Sequence, residues 1–152
     1  MRKTLRVAAY AVVIRDGQIL LARSPDGRGG HEWVLPGGGM EHGEDPYDTV
    51  RRELMEETGY HIDVTGLLGI DSFRNTSTHR WRRPEDHQGL RLVYEGQVTG
   101  GELRPETNGS TDLAAWHDLD AVDGLTKVRM VDIGLELWLE RPATGRAAKA
   151  GG

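Results

Sequence analysis

GGGMEHGEDPYDTVRRELMEETGY, residues 37–60, is the stretch on which the reading of this chain turns. Asp45 stands as a candidate N-cap, Pro46 falls in the first turn and Gly59 lies just past the last helical position, which together predict a helix over 46–58. On such a helix Glu53, Glu56 and Glu57 occupy positions i, i+3 and i+4, so their carboxylates share one stripe, while Val50 and Leu54 form a neighbouring stripe that faces a core. Like charges this close repel, no lysine on the helix offsets them, and a cation is the natural remedy. Carboxylate oxygens suit magnesium, manganese or calcium, and a magnesium site of this kind keeps waters and is completed by substrate phosphate. The preceding Gly37-Gly38-Gly39 lets the backbone approach closely, so that a free carbonyl there is available to join the carboxylates. In isolation E-x-x-E-E is more often an ordinary solvated helix face, so the residues around it have to decide.

Outward toward the amino terminus, Leu5 to Ile14 is rich in valine and alanine, Asp16-Gly17 is a strong turn signal, and Gln18 to Arg23 resumes the apolar pattern, which reads as a hairpin. SPDGRGGH, residues 24–31, reads as a surface loop, followed by a short strand at Trp33-Val34-Leu35 that Pro36 stops. Toward the carboxyl terminus, Ile62 to Phe73 and Leu90 to Thr99 look like strands separated by a charged segment, and Asp112 to Trp116 is a further short strand. Apolar residues near helical spacing from Leu125 to Leu139 predict a closing amphipathic helix. ATGRAAKAGG, residues 143–152, lacks core-forming residues and is expected to be a flexible tail after a single domain spanning 1–142.

A chain of 152 residues with 37% hydrophobic residues has the material for one core. Its net charge of −5 disfavours stable binding to nucleic acid or to an anionic membrane. With no cysteine, thiolate zinc sites, disulfides and cysteine nucleophiles drop out. No apolar stretch is long enough to span a bilayer and no signal-peptide pattern opens the sequence, so a cytoplasmic location is the expectation.

Spacing then narrows the reading. Gly38, Glu44, Arg52, Glu53, Leu54, Glu56, Glu57 and Gly59 follow the order glycine, five residues, glutamate, seven residues, RELMEETGY. In this the sequence resembles the Nudix hydrolase family, whose signature is G-x5-E-x7-R-E-U-x-E-E-x-G-U with U a bulky apolar residue. The soft departure is Tyr60 at the last U, where an aromatic ring can fill the same slot. The resemblance implies an α/β fold, an α/β/α sandwich with a central mixed sheet and the catalytic loop–helix–loop on one edge. It also implies a metal-dependent pyrophosphohydrolase that cleaves a diphosphate linkage in a nucleoside diphosphate derivative by water attack on phosphorus. By the same analogy Glu53, Glu56, Glu57 and the Gly38 carbonyl hold Mg2+, with Mn2+ as a substitute, and Arg52 orients a carboxylate. Glu53 is the first candidate for general base, and Glu106 in PETNGST the second.

Substrate contacts are less legible. Arg74, Arg80, Arg82 and Arg83 with Trp81, His79 and His87 cluster after Phe73, and guanidiniums that fork onto phosphate beside an indole that stacks would suit a nucleotide. Arg23 and Arg28 are weaker candidates. The alternative reading of the cluster is a charged surface excursion. Isopentenyl diphosphate isomerase chemistry is set aside because it resembles a cysteine-dependent protonation. A non-catalytic, ligand-sensing Nudix-like domain remains as the alternative function. A homodimer is compatible with the sequence, which fixes neither the nucleobase nor the leaving group.

Overall fold

The computed structural model describes residues 1–78, 80–106, 109 and 111–148. His79, Thr107, Asn108, Ser110 and the tail from 149 onward lie outside the described residues. The elements run β1 (Arg2–Arg15), β2 (Gln18–Pro25), β3 (His31–Val34), β4 (Gly37–Gly39), α1 (Pro46–Thr58), β5 (Tyr60–Ser77), β6 (Glu85–Gly101), β7 (Leu113–Asp118), a 3-10 turn (Leu119–Gly124) and α2 (Arg129–Glu140).

Asp16 and Gly17 both adopt positive φ (53° and 76°), the geometry of a tight hairpin turn, and so join β1 to β2 as the sequence predicts. The strands form a mixed sheet in the order β3-β2-β1-β6-β5, with β4 paired to β1 and β7 to β2. β1 and β6 run parallel and the other pairs antiparallel. Alternation along β1 sorts the core into two layers. Ala9, Ala11 and Val13 pack with Val50 and Leu54 of α1, whereas Tyr10 and Val12 pack on the other side with Val131 and Leu137 of α2. This is the expected α/β/α sandwich. Burying Val50 and Leu54 completely holds α1 to the sheet with roughly 1.5–3 kcal/mol per side chain.

Helix α1 begins and ends where the sequence predicts. Asp45 accepts a hydrogen bond from the Tyr47 N–H at 2.9 Å, and Gly59 closes the helix in the left-handed region with its N–H donating to the Met55 carbonyl. The aromatic at the end of the box fits its slot: Tyr60 is buried beside Leu54 and Ile62, and its hydroxyl accepts from Trp116 Nε1–H at 3.1 Å.

Other boundaries differ for identifiable reasons. β5 and β6 extend well beyond 62–73 and 90–99, because their polar ends pair by backbone from Arg74↔Gln88 to Ser77↔Glu85, and β6 continues along β1. β7 covers 113–118 rather than 112–116. Helix α2 starts at Arg129 instead of Leu125: Trp33 N–H donates to the Thr126 carbonyl and Val128 N–H to the Trp33 carbonyl, so 126–128 is used as a strand-like bridge to β3. Nor is the start of the expected tail free. Ile70 N–H donates to the Gly145 carbonyl at 2.7 Å and Ala147 is buried against the α2-side core, so 143–148 returns to the sheet.

Candidate functional site

The sheet edge, not the helix alone, builds the acidic centre. Gly37 has φ 149° and a Cβ there would stand 2.3 Å from the Ala9 carbonyl oxygen, so only glycine lets β4 lie this close to β1. That approach aims the Gly37 N–H at α1, where it donates to Glu57 Oε2 at 2.9 Å. Glu57 is 4% exposed. Burial pushes its carboxyl up to about 8, opposed by the Gly37 hydrogen bond and reinforced by the negative charges of Glu53, Glu106 and Glu56. Glu53 is also raised, chiefly by burial, while Arg52 works against the shift. Its carboxylate lies against Gly38, where a Cβ would come within 2.8 Å of it. Glu56 is exposed on the same stripe.

Arg52 ties the loop to the helix. Its guanidinium forks onto Glu44 (Nε to Oε2 2.8 Å, Nη2 to Oε1 2.9 Å), donates to the Gly39 carbonyl at 3.2 Å and reaches Glu53 Oε1 at 3.1 Å. With Thr49 Oγ1 donating as well, Glu44 is held down to about 2, the Arg52 hydrogen bond being the larger cause. Glu44 is therefore a permanently charged anchor that aims Arg52 at Glu53 and the glycine loop. Lysine cannot reproduce a fork. Arg52→Lys is expected to raise the magnesium concentration needed for half-maximal activity about 10- to 100-fold, as loss of a ligand-orienting partner does. A metal titration of activity on variant and parent, at matched folding by circular dichroism, checks this.

Glu106, expected from the loop after β6, approaches the same centre: its charge acts on both Glu53 and Glu57, and Thr111 Oγ1 donates to its Oε2 at 2.6 Å. Among the described residues no three acidic or imidazole side chains are already gathered in metal-binding geometry. Glu57 is occupied by the Gly37 N–H, and Glu53 and Glu56 by Arg52. The donor set nonetheless fits a hard divalent cation: four carboxylates act on one another, and a glycine carbonyl segment abuts one of them where no side chain has room.

A pocket opens on the α2 side of the sheet, lined by Arg6, Ala8, Tyr10, Phe73, His87 and Arg91. Its Tyr10 hydroxyl is raised by burial, with Arg6 and Arg91 opposing and Glu57 and Glu53 adding, so the pocket and the acidic centre are electrostatically continuous. The Arg6 guanidinium passes over Gly39. Phe73 covers Gly89 across the β5–β6 ladder, Arg91 sits 4.5 Å above the Phe73 ring, and Arg91 also pairs with the buried Asp71. Arg6 and Arg91 escaped the sequence reading, although a signal existed. Each sits two residues before a buried residue (Ala8, Val93) on the same face of its strand, an unusual phase for a charge.

The arginines singled out from the sequence lie elsewhere. Arg23 forks onto Asp112 at 3.1 Å, and Arg74 forks onto Asp86 across the β5–β6 ladder. Arg80, Trp81, Arg82 and Arg83 form the exposed tip of the β5–β6 hairpin. That tip adjoins Glu85, paired with Arg2, whereas the glycine loop pairs with Ala8. Six residues of β1 separate the two levels, about 20 Å at the usual rise per strand residue. The structure does not bring this cluster to the glutamates.

Comparison with known proteins agrees with this fold. The family model described as NUDIX domain matches residues 4–139, and the chain belongs to that family. It is 33% identical over 118 residues to a MutT-like protein of Streptomyces ambofaciens, covering 76% of this chain and 66% of that one. It is also 33% identical over 118 residues to the NAD-capped RNA hydrolase NudC of Chromobacterium violaceum, covering 77% of this chain and 40% of that one. The chain thus spans well under two thirds of the length of some curated relatives it matches. Among solved structures, a NUDIX hydrolase from Nitrosomonas europaea superposes with a TM-score of 0.71 at 23% identity, over 88% of each chain. Among the described residues no helix is long and apolar enough to cross a membrane.

Proposed function

We propose that the protein is a divalent-metal-dependent pyrophosphohydrolase that cleaves a diphosphate linkage in a small nucleoside diphosphate derivative. The observation that carries this is the buried Glu57, acted on by the charges of Glu53, Glu56 and Glu106 and coupled through Tyr10 to a pocket whose cationic side chains are Arg6 and Arg91. Such an arrangement wants a cation at one end and a polyanion at the other. Glu53, Glu56, Glu57 and the Gly38 carbonyl would hold magnesium or manganese, which when bound supplies neutralisation of the diphosphate and activation of the attacking water. The chain's own residues do the remainder. Glu53, half-buried with a raised carboxyl, is the first candidate to accept the water's proton, and Glu106 the second. Arg52 holds Glu53 in place, and Arg6 is placed to fork onto phosphate. Phe73 and Tyr10 offer faces for a base or sugar. The complete carboxylate set favours this over a non-catalytic sensor.

The test is a panel of nucleoside triphosphates, nucleotide sugars, ADP-ribose, dinucleoside polyphosphates and non-nucleotide diphosphates, incubated with magnesium and with products identified by mass. Cleavage at a diphosphate in at least one of them is expected, and binding without turnover across the panel would instead favour the sensor. Arg6→Ala is expected to raise the Michaelis constant about 10- to 100-fold, the worth of one charge-assisted contact, with a much smaller change in turnover number. Steady-state kinetics on the best substrate check it. Arg91 is a poorer test, because its removal would strand the buried Asp71 and destabilise the fold.

A further inference from the structure

Two surfaces remain that the proposed chemistry does not use, and they are complementary. At the β5–β6 tip Trp81 is 90% exposed, with the Arg80 guanidinium 5.7 Å from its ring centre. Among the described residues Arg80, Arg82 and Arg83 have no ion-pair partner. An indole left almost wholly in water, in a segment whose three guanidiniums have no ion-pair partner among the described residues, is the composition of an interface centre: tryptophan and arginine are enriched where binding energy concentrates.

The second surface is an apolar groove of about 430 Å³ between the 3-10 turn and α2, walled by Leu119, Val122, Leu135, Trp138 and Leu139, the last 72% exposed. Asp123, Asp132, Glu136 and Glu140 rim it. Helix α2 has no basic residue in its last turn, so Glu140 stands at the negative end of the helix dipole, where an acidic side chain is unfavourable, with Glu136 one turn before it on the same face. A cationic partner relieves that repulsion. Of these four, among the described residues, Asp132 alone has a cation nearby, Lys127 Nζ at 3.7 Å.

We infer that the Arg80–Pro84 tip of one copy of this chain docks in the α2 groove of a second copy, with Trp81 between the apolar walls and the arginines against Asp123, Glu136 and Glu140. Charge decides the occupant: a chain of net charge −5 carries an unpaired basic projection tipped by an indole and an acidic apolar groove, and each matches the other in sign and character. The contact joins unlike patches, so two of them related by a two-fold axis give a dimer, and head-to-tail repetition gives a ring. Trp81 lies outside its own groove, which leaves both patches open until a second molecule arrives.

Light scattering after size exclusion, over a concentration series at low and high salt, reads the outcome. The wild-type chain is expected to have at least twice the monomer mass at high concentration and low salt, and to dissociate as salt screens the arginines. Trp81→Ala, the tip variant Arg80→Glu/Arg82→Glu/Arg83→Glu, and the groove variant Asp123→Lys/Glu136→Lys/Glu140→Lys should each be monomeric with unchanged circular dichroism. Mixing the tip-reversed and groove-reversed chains should restore a complex, since their charges are complementary again. A wild type that stays monomeric at every concentration, or an assembly indifferent to either set of substitutions, overturns the inference. So does a mixture of the two reversed chains that fails to associate.

Discussion

Glu57→Gln is expected to lower the turnover number on the order of a hundredfold or more while leaving the metal-free protein at least as stable as its parent. In the proposed ligand set Glu57 holds the cation directly, and its loss should cost no less than the 10- to 100-fold typical of the partners that merely orient such ligands. Stability follows a different logic. The substituted glutamine would keep an oxygen to accept the Gly37 N–H, and Val50 and Leu54 would still anchor α1. In the parent, burial raises Glu57 from an ordinary 4.5 to about 8. The folded state therefore retains a proton between those values that the unfolded state has lost, and the stability this confers is complete below about 4.5 and gone above about 8. The glutamine stays neutral throughout. The melting temperature of the metal-free variant should accordingly pull ahead of the parent as pH rises through that window. Thermal melts in EDTA at several pH values, beside turnover at saturating magnesium, check both halves. A variant with near wild-type turnover would remove Glu57 from the ligand set.

Much of this centre is legible in the sequence because it is local. Helix α1, its caps and its carboxylate stripe are all specified within residues 45–59, so periodicity and capping chemistry suffice to place them. The pocket is not local. Arg6, Phe73 and Arg91 come from β1, β5 and β6, and only the parallel pairing of β1 with β6 brings Ala8 beside Arg91. Tertiary hydrogen bonds also move boundaries that apolar spacing sets wrongly: the bridge to Trp33 removes 126–128 from α2, and Ala147 carries no signal that it will be buried. The arginine cluster after Phe73 shows the converse. A run of cations near predicted strands looks like a phosphate site, yet the length of the β5–β6 hairpin carries it about 20 Å along the sheet from the glycine loop.

Removing divalent metal with excess EDTA should abolish turnover, and magnesium or manganese should restore it, with an apparent affinity that depends on pH in a predictable direction. In the proposed ligand set Glu57 binds the cation as a carboxylate, but in the metal-free protein burial and the neighbouring Glu53, Glu106 and Glu56 hold its carboxyl at about 8. Below that value the cation must displace a proton, so each unit of falling pH should weaken the apparent affinity up to about tenfold. Above it the affinity should level off. Calorimetry in buffers of different ionisation enthalpy would show proton release on metal binding near neutral pH, and in Glu57→Gln that release should shrink. An affinity that stays flat between about pH 6 and pH 9, the range that brackets the raised carboxyl, would mean that Glu57 is not a ligand. Full turnover in excess chelator would be the stronger contradiction, because the repulsion among these carboxylates and the diphosphate would then be offset by Arg52 and Arg6 alone.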